Sequence, residues 1–138
     1  MLERLKMKNT KLPDYKEKQR LVFMSQVSGE TLAEYGDNCF AKGRYDDAVD
    51  FYEKASNKTG LKKIADLAVE EGDLFLYKKV FRFLGEEQIS PETANRIGAR
   101  AFDLGKYSFA KKAFEIAGNE DMINKISINT EGENFVKA

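Results

Sequence analysis

Apolar residues recur along the chain at intervals of three and four, which is the spacing of one face of an α-helix. In residues 28–55 this pattern runs twice, and it is interrupted at Gly43. Glycine takes the left-handed conformation that ends a helix without steric cost. The first run holds Leu32, Tyr35, Gly36, Cys39 and Phe40, and the second holds Ala48, Phe51, Tyr52 and Ala55. The segment therefore predicts two helices joined by a short turn.

Residues 90–117 repeat residues 28–55 at a shift of 62 positions. Ten of the 28 aligned positions are identical, where ordinary composition would give about two. Ser28 and Ser90 stand where an N-cap hydroxyl accepts a backbone N–H, and Pro91 follows at the first helical position. The sequence therefore predicts a repeat protein with a second helix pair in residues 90–117.

Glycines inside the predicted helices indicate close packing. Gly36 and Gly98 each cost about 1 kcal/mol relative to alanine in a helix interior, which only a close neighbour would offset. Ala48 and Ala110 are expected to supply the small surface that faces these glycines, and Tyr52 and Phe114 are expected to fill the space toward the next hairpin. The pattern predicts that large and small residues meet in register.

The stretch between the two copies, residues 61–84, predicts a weaker third helix pair. Gly72 takes the place of Gly43, but Tyr77 stands where the copies have a small alanine. We expect this degenerate hairpin to pack more loosely or to be rotated. The predicted hairpins span residues 28–56, 59–85 and 90–118, and about three such units must stack to bury a shared core.

Capping segments are expected at both ends of the repeats. Residues 1–27 carry seven basic and three acidic side chains and are predicted to be a basic N-terminal arm or a capping helix over 14–27. In residues 119–138, we expect a short capping helix over 120–126 and a frayed tail from 129. The predicted fold is all-α: a superhelix of about three antiparallel helix pairs with flanking caps.

Composition favours a cytoplasmic protein. Acidic and basic residues both number 23, so no global field draws the chain to nucleic acid or to a membrane. A single cysteine, Cys39, excludes an internal disulfide and suits a reducing compartment. No apolar run reaches the length of a membrane span or of a secretory signal core, so we expect neither membrane insertion nor export.

The residues expected of an enzyme are missing from the pattern. The chain has no histidine, which removes the commonest general base and nitrogen metal ligand. Cys39 aligns with Ala101 in the second copy, so it is interpreted as a small packing residue. No phosphate-binding, dinucleotide-binding, zinc or calcium motif occurs. The sequence predicts a protein without catalytic activity, cofactor or metal.

The repeated residues resemble the tetratricopeptide repeat family over residues 28–118. They are Gly36, Phe40, Gly43, Tyr45, Ala48, Tyr52 and Ala55, recurring as Gly98, Phe102, Gly105, Tyr107, Ala110, Phe114 and Ala117. The chain departs from the family where the first-helix tryptophan is replaced by Leu32 and Ala94, and where the closing proline is missing.

This resemblance implies a peptide- or protein-binding scaffold whose first helices line a concave surface. Carried over by position, that surface presents Glu30, Glu34, Asp37, Lys62, Lys63, Asp66, Glu70, Asn95 and Arg96. Its two ends differ in sign, which would orient a charged partner. Ala33, Glu34 and Asp37 stand where a carboxylate-clamping member needs lysine and asparagines, so that specificity is not expected. An ordinary solvated face explains the same charges equally well.

Two further hypotheses of other classes stay open. The chain is alternatively a structural, self-associating solenoid or a piece of a larger assembly, since open repeats stack end to end. A weaker alternative is RNA binding by the basic arm through Arg4, Lys6, Lys8, Lys11, Lys16, Lys18 and Arg20.

Overall fold

A computed structural model of the chain describes the backbone of residues 14–23 and 28–137, and the side chains of 14–21 and 28–128. This part of the chain forms α-helices and one short 3-10 helix, with no strand. The all-α prediction is confirmed. The helices are α1 Tyr15–Phe23, α2 Gly29–Ala41, α3 Tyr45–Lys54, α4 Lys58–Glu70, α5 Leu74–Phe81, the 3-10 helix Arg82–Leu84, α6 Pro91–Asp103, α7 Tyr107–Ala117 and α8 Glu120–Lys137.

The chain divides into two compact units, Met1–Ile64 and Ala65–Ala138, with the boundary inside α4. In the first unit α2 packs against α3, and α1 also contacts α3. In the second unit α6 packs against α7, which in turn contacts α8.

The two matching stretches fold alike. Helices α2 and α6 are both 13 residues long, and each begins directly after its serine. The Ser28 hydroxyl oxygen accepts a hydrogen bond from the Thr31 backbone N–H at 3.1 Å, and Ser90 does the same for Thr93 at 3.2 Å. Both serines are therefore N-caps, as predicted, and each satisfies one of the unpaired donors of the first helical turn.

The three predicted turn glycines end their helices in one way. Gly43, Gly72 and Gly105 have φ angles of 78°, 63° and 76°. In each turn the next residue donates its backbone N–H five residues back, from Arg44 to Cys39, from Asp73 to Ala68 and from Lys106 to Ala101, all at 2.8 Å. This is the Schellman arrangement, which pairs the last carbonyls of a helix. The degenerate middle stretch thus shares the turn of the two clear copies.

Close packing of glycine against an aromatic ring joins the helices of each pair. A Cβ atom added to Gly36 would lie 2.7 Å from the Tyr52 ring, and one added to Gly98 would lie 2.8 Å from the Phe114 ring. Tyr52 also faces Gly60 of α4, where an added Cβ would lie 2.6 Å from the ring. Since real Cβ contacts are longer, alanine does not fit at these sites. Large rings thus meet small residues, but Gly36 and Gly98 each face the ring of their own helix pair, whereas the sequence analysis expected Ala48 and Ala110 there. The contact of Tyr52 with Gly60 is the one toward the following helix that was expected.

The core of the second unit lies between α6, α7 and α8. Ala101, Ala110, Phe114 and Ile126 are buried there, and Met122 packs against them. The two short alanines let the helices approach, and the Phe114 ring fills the space between them.

The terminal segments differ from the expectation. Helix α8 continues to Lys137, whereas the sequence predicted a cap ending at Ile126 and a frayed tail from residue 129. Ile126 is the last buried residue among the described side chains. No proline follows it, so the helical backbone hydrogen bonds can continue. At the other end the predicted capping helix is present as α1, which ends at Phe23, and residues 1–13 and 24–27 lie outside the described part.

Candidate partner-binding surfaces

The predicted acidic residues of the first unit lie on α2. Glu30 and Asp37 are exposed, and Glu34 is half-buried. Asp37 accepts a hydrogen bond from the Tyr52 hydroxyl, which is carried by α3. Burial raises the pKa of Tyr52, and the bond to Asp37 raises it further. Asp37 therefore holds the helix pair together in addition to carrying an exposed charge.

The predicted basic residues of the first unit lie on α4. Lys62 and Lys63 are both exposed. The Lys63 ammonium nitrogen lies 4.2 Å from the centroid of the Phe40 ring, within the range of a cation–π contact. Lys62 projects its charge without such a ring contact in the described structure, so it is the more accessible cation for an acidic partner.

Two predicted residues of the second unit, Asp66 and Arg96, influence Tyr77, which the sequence analysis did not assign to the partner-binding surface. Asp66 of α4 and Arg96 of α6 both act electrostatically on the buried Tyr77 hydroxyl of α5. Burial raises the pKa of Tyr77, and Glu86 and Asp66 add to that rise, while a hydrogen bond with Thr93 and the charge of Arg96 oppose it. The opposite charges of Asp66 and Arg96 thus both act on the same buried tyrosine.

The other two predicted residues of the second unit serve structural contacts. The Asn95 side-chain oxygen accepts a hydrogen bond from the Asn119 side chain at 3.0 Å, which ties α6 to the start of α8. The backbone carbonyl of Glu70 accepts a hydrogen bond from Arg100 Nε at 2.7 Å, while the Glu70 side chain stays exposed. Asn95 is accordingly the weakest member of the predicted set.

An ionic cluster fastens α1 to α3 and involves the basic arm. Lys18 lies 2.8 Å from Asp47 and 2.5 Å from Asp50, and Arg44 lies 2.5 Å from Asp47. Burial lowers the pKa of Lys18, but its bonds to Asp47 and Asp50 outweigh this, and its net pKa is raised. Burial raises the pKa of Asp47, but Lys18 and Arg44 hold it below its usual range. The sequence analysis did not foresee this cluster, which commits Lys18 to the fold rather than to RNA.

The remaining basic residues of the arm divide into two sets. Lys16 and Arg20 are exposed on α1. Arg4, Lys6, Lys8 and Lys11 lie outside the described residues.

A groove in the second unit was also missed. Its volume is about 580 Å³. Its lining consists of Lys78, Phe81, Arg82, Gln88, Ile89 and Ile116. These residues come from α5, the 3-10 helix, the segment before α6, and α7, and no local sequence pattern relates them.

The thiol of Cys39 has the environment of a packing residue. It is 0% exposed, and burial together with the charge of Asp47 raises its pKa to about 11. Because the thiolate is the nucleophilic form, the thiol is unreactive at neutral pH. Within the described residues no three His, Cys, Asp or Glu side chains cluster as metal ligands. None of the helices in that part of the chain has the length and apolarity needed to cross a membrane.

Comparison with protein-family models, with curated proteins and with solved structures gives no match to this chain. The surfaces described above are therefore interpreted from their own geometry.

Proposed function

We propose that the chain is a non-catalytic, tetratricopeptide-like module of about three helical hairpins that binds a peptide or protein partner along its first helices. The observation that carries this proposal is the glycine-to-ring packing of α2 on α3 and of α6 on α7. In this packing, the inward faces of the helices contact each other and hold each pair together. Charged side chains of the first helices are left exposed.

The charges of the first helices give the proposal its chemistry. Glu30 and Asp37 contribute exposed carboxylates, while Lys62 and Arg96 contribute exposed cations. A partner with separate acidic and basic stretches would meet both signs, and complementary charges would fix its orientation and speed its encounter. A reducing, cytoplasmic setting is part of the proposal, because the only cysteine is free and buried.

Charge reversal tests this proposal. Lys62→Glu combined with Arg96→Glu is expected to abolish capture of partners that the parent chain retains from an extract of its source cells, as measured by quantitative mass spectrometry. The matched control, Lys54→Glu combined with Lys111→Glu, makes the same charge change on exposed positions of α3 and α7. The proposal fails if both double variants keep, or both lose, the same partners while remaining folded by circular dichroism.

A further inference from the structure

The groove of the second unit is part of a longer apolar strip along α5 and α7. Phe75 on α5 is 53% exposed, and its ring meets the Phe109 ring edge to face, with centroids 5.1 Å apart. Ile116 on α7 is 37% exposed and lines the groove. Covering the exposed parts of these two side chains with a partner would favour binding through the hydrophobic effect.

The strip has the spacing of a helix-binding surface. On α5 and the 3-10 helix that directly follows it, residues 75, 78 and 82 have the i, i+3, i+7 spacing of one helix face, and on α7 residues 109, 112 and 116 have the same spacing. Seven residues of helix rise about 10 Å. The two rows meet where Phe75 contacts Phe109 and again where Lys78, Arg82 and Ile116 line the groove. A surface of this length matches about two turns of a third helix laid along it.

The charged residues that line the groove are basic, and its described lining contains no carboxylate. Lys78 and Arg82 line the groove, where the third polar residue is the neutral Gln88. Lys112 on the α7 row lies with its ammonium nitrogen 5.2 Å from the Phe75 ring centroid. The surface thus combines an apolar floor with positive charge from both helices.

We infer that this strip binds an acidic amphipathic helix of a protein partner. A Leu, Phe or Met side chain of that helix would fill the groove beside Ile116, and Asp or Glu one turn away would pair with Lys78 and Arg82. The basic residues 1–27, with seven basic and three acidic side chains, have the wrong sign to occupy it. A flat anionic bilayer would leave the groove unfilled. The inference does not depend on partner binding by the first helices.

A helix-constrained peptide library displayed on phage tests the inference against the full chain. Enriched peptides are expected to carry Asp or Glu one helical turn from Leu, Phe or Met. By fluorescence anisotropy, Lys78→Glu with Arg82→Glu is expected to weaken a selected peptide at least tenfold, which corresponds to about 1.4 kcal/mol. The Ile116→Ala variant should weaken it severalfold without any change of charge.

Lys54→Glu with Lys58→Glu is the matched control, because it makes the same charge change at two exposed positions of the first unit that belong to neither proposed surface. It should leave the selected peptides bound. The inference is overturned if no peptide is enriched, if the enriched peptides are basic, or if the control weakens binding as much as the groove variant does. A membrane ligand would also overturn the inference. In that case the chain would bind phosphatidylserine vesicles and not peptides, and Lys78→Glu with Arg82→Glu would abolish the vesicle binding.

Discussion

Replacing Gly98 by alanine sets two effects of known size against each other. Alanine in a helix interior is favoured over glycine by about 1 kcal/mol. The added Cβ would lie 2.8 Å from the Phe114 ring, well inside the 3.5–4.0 Å at which carbon atoms attract. Because Phe114 is 2% exposed and packed among Ala101, Ala110 and Ile126, the ring has no free space to enter.

Overpacking of this kind costs about 1–3 kcal/mol. After the gain of about 1 kcal/mol in helix propensity is subtracted, we expect Gly98→Ala to lower the free energy of unfolding by up to about 2 kcal/mol. In a Phe114→Leu background the ring is gone, and the same substitution should raise the free energy of unfolding by up to about 1 kcal/mol. Urea denaturation followed by circular dichroism measures both values. The coupling between the two sites is therefore expected to equal the overpacking cost, about 1–3 kcal/mol.

The Gly29→Ala variant is the control. Its added Cβ would meet only the Ala55 carbonyl oxygen at 3.6 Å, an ordinary contact, so the variant should be neutral or slightly stabilising. If Gly98→Ala stabilises the protein as much as Gly29→Ala does, or if Phe114→Leu leaves the effect of Gly98→Ala unchanged, the close-packing argument is wrong.

Three further predictions concern the first unit. The Tyr52→Phe variant removes the hydroxyl that donates to Asp37 and is expected to lower the free energy of unfolding by about 1 kcal/mol in urea titrations; an unchanged midpoint would contradict this. Since the folded pKa of Cys39 is raised from 9.0 to about 11, the folded state binds more protons than the unfolded state in that window. Cys39 should therefore contribute a fall of about 2 kcal/mol in the free energy of unfolding between pH 9 and 11. Cys39→Ala should remove this part of the slope and leave the part that comes from the raised pKa values of Tyr52 and Lys18. Lys18→Gln should lower the melting temperature more than Lys16→Gln, and added salt should narrow the difference, because only Lys18 bridges to α3; equal effects would refute that role.

The helices and turns were predictable because their signals are local. Ser28 and Ser90 act on the backbone three residues away, and Gly43 and Gly105 act on their own φ angles. The repeat also extends further than the sequence analysis recognised. Asn57 accepts a hydrogen bond from the Gly60 N–H at 3.0 Å, and its counterpart Asn119 accepts one from the Met122 N–H at 3.2 Å. The signal was present, since Asn57 and Asn119 are also 62 residues apart.

The ionic cluster and the groove could not be predicted in the same way. Lys18 meets Asp47 and Asp50 only because α1 lies against α3, and no short-range spacing encodes that approach. The groove depends on the separation of Phe81 and Ile116, which lie on different helices of the second unit. Tyr77 was considered only as a large ring that disturbs the packing of the middle stretch. The structure shows in addition that the charges of Asp66 and Arg96 both act on its hydroxyl.

The glycine at position 60 sets a rule for lengthening or shortening the array. It accepts the face of the Tyr52 ring, whereas the corresponding position after the second copy is Met122, which packs at the edge of the cluster containing Phe114. The flexible Met122 side chain covers the edge of the cluster that contains Phe114. A glycine at this position would instead let the aromatic ring pack directly against the helix backbone, as Tyr52 does at Gly60. A further helix pair placed after Ala117 would therefore need glycine at the register of Met122, and a cap helix placed directly after Ala55 would need methionine at the register of Gly60.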